Sequence, residues 1–261
     1  MRALFVAATG MQSQQLNIDN IANNLANVNT TGFKRGRVDF QDLLYEAVKP
    51  VGSNASVSTE NPTGIYLGYG SRAAAVQKLF TQGSYQQTSQ SYDLLIEGDG
   101  FFQVTLPSNQ TAYTRDGSFK IDNQGRLVTS NGDPLTPNIT IPTGAQKVNI
   151  GSDGTVSVML AGQTAPSVIG NITITRFNNV GGLESLGQNL YRETQSSGAP
   201  QSGTPGNEGF GTLRQGFLEM SNVSVVEELV NMIASQRAYE INSKAITTAD
   251  EMMQTAAQLK R

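Results

Sequence analysis

Leu4, Met11, Ile18 and Leu25 recur every seven residues, and Ala7, Gln14, Ile21 and Val28 repeat at the same interval beside them. A heptad of this kind predicts a helix that packs along its length on another helix. The helix is expected over residues 1–30, closing at Thr30-Thr31-Gly32, where glycine can take the left-handed C-terminal conformation. Its second half carries Asn17, Asn20, Asn23, Asn24, Asn27 and Asn29. Asparagine is a poor helix former, so the helix alone is marginal in water. These amides are expected to bond to neighbouring copies of the chain.

The other end mirrors the first. From Val223 to Leu259 there is neither Gly nor Pro, and Val225, Met232, Tyr239, Ile246 and Met253 form a second heptad row. Leu229, Ser235, Asn242, Ala249 and Ala256 lie on or near the same face. This predicts a helix of about 55 Å, with Asn222 or Ser224 as its cap, Glu227 and Glu228 in its first turn, and a Glu240–Lys244 pair on its surface. Residues 1–30 and 222–261 are therefore expected to pair as one coiled-coil-like unit. Leu4, Met11, Ile18, Ile21, Leu25 and Val28 meet Val225, Leu229, Met232, Tyr239, Ile246 and Met253 along the expected seam. With so many small seam residues the buried area is thin, and self-assembly is expected to supply the rest.

Between the helices the period changes. Residues 46–64 have none and are rich in Ser, Asn, Pro and Gly, which predicts a long loop or loose hairpin. It lies within a connector made of residues 31–70 and 211–221. Beyond Ser71, Ile139–Ile141, Val148–Ile150, Val156–Val158 and Ile172–Ile174 alternate with period two. Asp116-Gly117, Gly125, Asn131-Gly132 and Asp153-Gly154 mark turns. An antiparallel β domain is expected over 71–210, so the fold class is α+β.

Composition narrows the function. Among 261 residues there is no Cys, no His and no Trp, and the net charge is −3. Thiolate sites, disulfides, histidine bases and histidine metal sites are excluded. The mild negative charge argues against nucleic acid. The basic cluster Lys34, Arg35, Arg37 reads as a solvated turn. Gly68-Tyr69-Gly70 and Gly98-Asp99-Gly100 complete no phosphate-binding pattern, and no full calcium loop is present. No cofactor or metal is expected, nor an enzyme. No stretch reaches the ~20 apolar residues of a membrane span, and the short apolar run Ala3–Ala8 does not make a cleaved signal peptide.

The residues Ile21–Leu44, with Ala26-Asn27, Thr30 and Gly32-Phe33-Lys34, resemble the signature of the bacterial flagellar axial proteins. Leu218–Met253 resembles the matching C-terminal element, most specifically at Ser221-Asn222-Val223 and Gln236-Arg237-Ala238-Tyr239-Glu240. Tyr92–Val104 and Ala112–Asp122 match in between, so the resemblance spans essentially the whole chain. Within the family the likeness is greatest to distal-rod members, supported by Glu193–Pro200 and Glu227–Ile233. A proximal rod subunit or a short hook protein is the other reading.

The resemblance implies a homo-oligomer, a helical filament in the periplasm-spanning basal body. It implies contacts with proximal rod proteins, the hook protein, and the peptidoglycan and outer-membrane ring proteins. It also implies passage through the type III export apparatus without a cleaved signal, and no membrane insertion. The terminal helices would line the inner tube and the β domain would face outward. The connector segment with Glu46, Pro50, Asn61, Pro62 and Gly64 occupies the place of an extra element in distal-rod members, and is expected to stiffen the rod.

Overall fold

The structure is a computed structural model that describes residues 2–51, 54–56, 59–60, 63–163, 165–207 and 209–259. Its architecture is α+β: a helix near each end of the chain, with antiparallel strands between them. Contacts divide the chain into two compact units.

The first unit comprises Met1–Ala26, Gly36–Gln77 and Ser224–Arg261. It holds helix α1, Arg2–Ala26, and helix α2, Val225–Leu259. α1 stops at Ala26, short of the expected Thr30-Thr31-Gly32 boundary, so Val28 lies beyond it. At 35 residues, α2 is about 52 Å long. Its first intrahelical bond runs from the Glu228 amide to the Ser224 carbonyl, 3.0 Å, which makes Ser224 the cap residue. Strand Gly36–Asp42 pairs with Ser71–Lys78. The segment between them is folded: Tyr45–Lys49 pairs antiparallel with Ile65–Gly68, and Asn54–Ser56 with Thr59–Glu60. The described residues of 46–64 thus belong to a β-hairpin, and the strand starting at Ser71 pairs outside the main β sheet.

The second unit comprises Asn27–Arg35 and Lys78–Val223. Its largest sheet runs in the order Glu184–Gly187, Leu190–Arg192, Thr111–Thr114, Phe101–Thr105, Ile174–Arg176, Gln201–Gly203, with Leu135–Thr136 also on Phe101–Thr105. Every pairing in it is antiparallel. Successive side chains of a strand point to opposite faces. Phe102 and Val104 accordingly enter one core with Ile96, Leu135, Val156 and Ile174, while Phe101 joins Tyr113, Phe177 and Tyr191 in a separate aromatic cluster. A three-stranded meander, Ala145–Ile150, Thr155–Leu160 and Ser167–Asn171, adds Val148, Ile150 and Val158 to the first core. Ile139 and Ile141 are buried there without forming a strand.

Candidate assembly surfaces

Contact between α1 and α2 follows a polar row that takes in Ser235 and Asn242, both read on or near the expected α2 face, and it passes beside the large apolar seam residues. A Cβ on Gly10 would lie 2.9 Å from Asn242 Nδ2. Asn17 Nδ2 donates to Ser235 Oγ at 2.8 Å, and Asn24 Nδ2 to Glu228 Oε2 at 3.3 Å. Each step is seven residues, ascending on α1 and descending on α2, so the helices run antiparallel with small and polar side chains between them. Asn24 also brackets Gly36, its Oδ1 accepting from the Gly36 amide at 2.8 Å and its Nδ2 donating to the Gly36 carbonyl at 2.9 Å. Asn20 Nδ2 reaches the same carbonyl at 2.8 Å. A Cβ on Gly36 would meet Asn20 Oδ1 at 2.5 Å, so a larger residue there would displace the Asn20 amide. Asn17, Asn20 and Asn24 are therefore engaged within the subunit, which corrects their expected role toward neighbouring copies.

The expected seam residues sit around this row. Ile21 is buried; Leu4, Met11, Ile18, Leu25, Met232 and Ile246 are half-buried; Val225, Leu229, Tyr239 and Met253 are exposed. On the side of α2 opposite the row, Val226, Val230 and Ile233 form an exposed apolar stripe. Sequence reading missed this stripe because it scored one face of α2, whereas the helix carries two. The surface pair also differs: Glu240 takes Arg237 at 2.8 Å, and no ion pair to Lys244 forms among the described residues. Gln236 is exposed and Ala238 half-buried beside them.

The remaining motif residues converge in the second unit on a buried ion cluster. Lys34 is 0% exposed, Glu219 2% and Arg115 5%. Lys34 Nζ donates to Glu219 Oε1 at 2.5 Å and to the Thr81 carbonyl at 2.8 Å. Arg115 Nη1 is 3.5 Å from Glu219 Oε2, and the Gly83 amide donates to Glu219 Oε1 at 3.0 Å. Burial holds Lys34 below the usual lysine range, against the opposing pull of Glu219. The reading of Lys34 as part of a solvated turn is corrected: only Arg37 of that trio is exposed, paired with Asp39 at 3.0 Å.

The two ends of chain that border this unit are tied to each other there. The Gly32 amide donates to the Glu219 carbonyl at 2.8 Å, with Gly32 at φ 68°, and the Arg35 amide donates to Asn222 Oδ1 at 2.8 Å. Asn222 Nδ2 donates to the carbonyls of Leu79 and Thr81 at 2.8 and 3.1 Å, so its side chain serves this tie and not a helix cap. Thr30 Oγ1 donates to Asn27 Oδ1 at 3.1 Å, and Ser221 Oγ accepts from the Val223 amide at 3.3 Å. Phe33 lies under Lys78 Nζ at 4.4 Å, and Val223 is buried. Ala26 closes α1 just before this segment.

The hairpin offers a third surface, in the first unit. Glu46 forms an ion pair with Arg2 and accepts from Tyr69 Oη at 2.7 Å; the Tyr69 hydroxyl, then Arg2, hold its carboxyl below the usual carboxylate range. Leu44, Tyr45, Val48, Val51, Ile65, Tyr66 and Leu67 are all exposed, so the base of the hairpin is apolar where the sequence suggested a polar loop. Pro50 is exposed, and Gly64 passes so close to the Lys49 carbonyl that a Cβ would meet it at 2.7 Å. Asn61 and Pro62 lie outside the described residues.

Comparison with known proteins gives these surfaces a family. The chain matches the Flagella basal body rod protein family over residues 4–34. It matches the Flagellar hook protein FlgE/F/G D1 domain over 95–158 and the Flagellar basal body rod FlgEFG protein C-terminal family over 214–259. The Flagellar basal-body rod protein FlgG of Buchnera aphidicola subsp. Acyrthosiphon pisum is 51% identical over 257 residues, covering 98% of this chain and 99% of that one. That of Borreliella burgdorferi is 51% identical over 263 residues, covering 100% and 99%. The Flagellar hook-basal body complex protein FlhP of Bacillus subtilis is 30% identical, covering 97% of each chain. With its end motifs, central domain and full length all matched, the chain belongs to the flagellar basal-body rod protein family, and is a structural subunit and not an enzyme.

Proposed function

We propose that this chain is the subunit of the distal rod of the bacterial flagellum, where copies join into a helical tube that carries torque from the proximal rod to the hook and encloses part of the export channel. The observation that carries this reading is the two-sided α2. One side meets α1 through small and polar residues, and the other shows water an apolar stripe. An exposed stripe of this kind marks an interaction surface. Within the subunit, little apolar area is left to offset the ordering of a helix this long. A head-to-tail contact that does not close builds a filament. Proximal rod, hook and ring proteins are then the neighbours at its ends and outer surface, and the chain reaches them by the flagellar export route across the periplasm.

Polymerisation of a charged variant tests this. Val230 and Ile233 are 60% and 58% exposed. Val230→Asp with Ile233→Asp should leave the monomer's circular dichroism and thermal transition unchanged and abolish tube formation in electron micrographs. Tubes that form normally from the double variant would remove the stripe from the interface.

A further inference from the structure

One cavity in the second unit lies against both the ion cluster and the aromatic cluster. It is bordered by Thr81, Asp99, Phe101, Arg115, Arg176 and Phe177. Arg115 lies 5.2 Å from the Phe101 ring centre and is almost wholly buried. Among the described residues only its Nη1 has partners, the Ile96 carbonyl and Glu219 Oε2, each at 3.5 Å, the outer limit for such contacts. Its buried Nε has no hydrogen-bond partner. The Nε and Nη2 groups form one edge of a guanidinium, whose spacing matches the two oxygens of a carboxylate. That edge of Arg115 is unused.

Charge points the same way. Lys34, Arg115 and Glu219 bury two cations against one carboxylate. The surplus positive charge sits where water screens it weakly, and a second anion would relieve it. Asp99, exposed at the rim, acts on Arg115 through space but makes no hydrogen bond or ion pair with it. Arg176 supplies another guanidinium on the wall, held over Phe210 at 5.4 Å and 3.4 Å from Gln201 Oε1.

We propose that this cavity binds a carboxylate, with Arg115 as anchor, Arg176 as second cation, and Phe101 and Phe177 flanking the aliphatic stem. Its source is a free small carboxylate or an acidic side chain of a second copy. The site does not depend on the assembly reading, because the first arm of the test uses the monomer. The thermal transition and the Arg115 Nε NMR resonance are followed in sodium glutarate, against sodium chloride at equal ionic strength. Glutarate should raise the transition and move the resonance. Asp99→Asn, which removes the competing carboxylate without touching Arg115, should respond at several-fold lower glutarate, and Arg176→Gln at several-fold higher. In assembled tubes, an Arg115 resonance already at its glutarate position assigns the source to a neighbouring copy; one at its free position assigns it to a soluble carboxylate. The proposal is overturned if glutarate and chloride act alike on all three monomers and the resonance stays put in both preparations.

Discussion

At the scale of the residue, Glu219 matters more than either cation it holds. Glu219→Gln would leave Lys34 and Arg115 buried together with no carboxylate, a change that costs about 3–5 kcal/mol. Lys34→Met leaves Glu219 with Arg115 and the Gly83 amide and should cost less, about 1–3 kcal/mol. Denaturant unfolding of the two monomers reads that order directly; equal losses would show that the carboxylate is not the centre. Burial gives a second test. Tyr113 and Tyr191 are pushed up from 10.0 to about 12. A phenol whose folded value is raised adds stability that is intact below its unfolded value and is lost as pH rises toward the folded one. Monomer stability should therefore fall between pH 10 and 12, by up to ~2.7 kcal/mol for each phenol. Tyr191→Phe should halve that fall, measured by urea unfolding across this range. The sequence could not announce the cluster. Lys34 stands beside Arg35 and Arg37, and its partner is 185 residues away, so local charge read as solvent exposure.

At the scale of the element, both helices and the strands through Val148–Ile150 and Val156–Val158 were legible because each repeats a period that burial imposes, whereas the same alternation at Ile139–Ile141 buries its side chains without making a strand. Which side of a helix faces its partner was not. The large apolar residues of the heptad rows through Leu4 and Val225 flank the contact, which is made by Gly10, Asn17 and Asn24 against Asn242, Ser235 and Glu228. Small and polar residues permit close approach; Ser235 and Asn242 were legible on or near the α2 face, but their partners Asn17 and Gly10 on α1 were not. Asn24 is the residue most committed to this arrangement, since its amide pairs with both backbone groups of Gly36. Asn24→Leu should lower the thermal transition of the first unit, at a cost of about 2–3 kcal/mol from the buried groups left without partners. An unchanged transition in calorimetry would show that water replaces the amide. The turn glycines were legible for a different reason: Gly125, Gly132 and Gly154 take positive φ, which few other residues accept.

At the scale of the whole molecule, the boundaries were the least legible feature. The sequence suggested one unit of paired end helices (1–30 and 222–261), a connector in two stretches (31–70 and 211–221) and a β domain inserted between them (71–210). The chain instead weaves, with Asn27–Arg35 belonging to the β-rich unit and Gly36–Gln77 to the helical one. Weaving of this sort leaves no composition shift to read. It also sharpens the test of the stiffening segment. Removing residues 46–64 alone would strip the partner from Ile65–Gly68. The whole hairpin, residues 45–68, can go, because the Tyr69 amide already bonds the Leu44 carbonyl at 3.2 Å and the ends can be joined. The shortened chain should still polymerise but give curved, flexible tubes in micrographs; straight rods would end the stiffening role.

The tie between Lys34 and Glu219 also sets an order of events in time. A chain that appears from its N-terminus carries Lys34 long before its carboxylate exists, and a lysine cannot enter an apolar interior unpaired. Strands Leu94–Glu97 and Tyr85–Gln87 wait equally for Thr212–Gln215 and Phe217–Glu219. Contacts of such long sequence separation form slowly. The second unit is thus built to close late, and a chain halted after residue 215 stays open to protease until a peptide carrying Glu219 completes it.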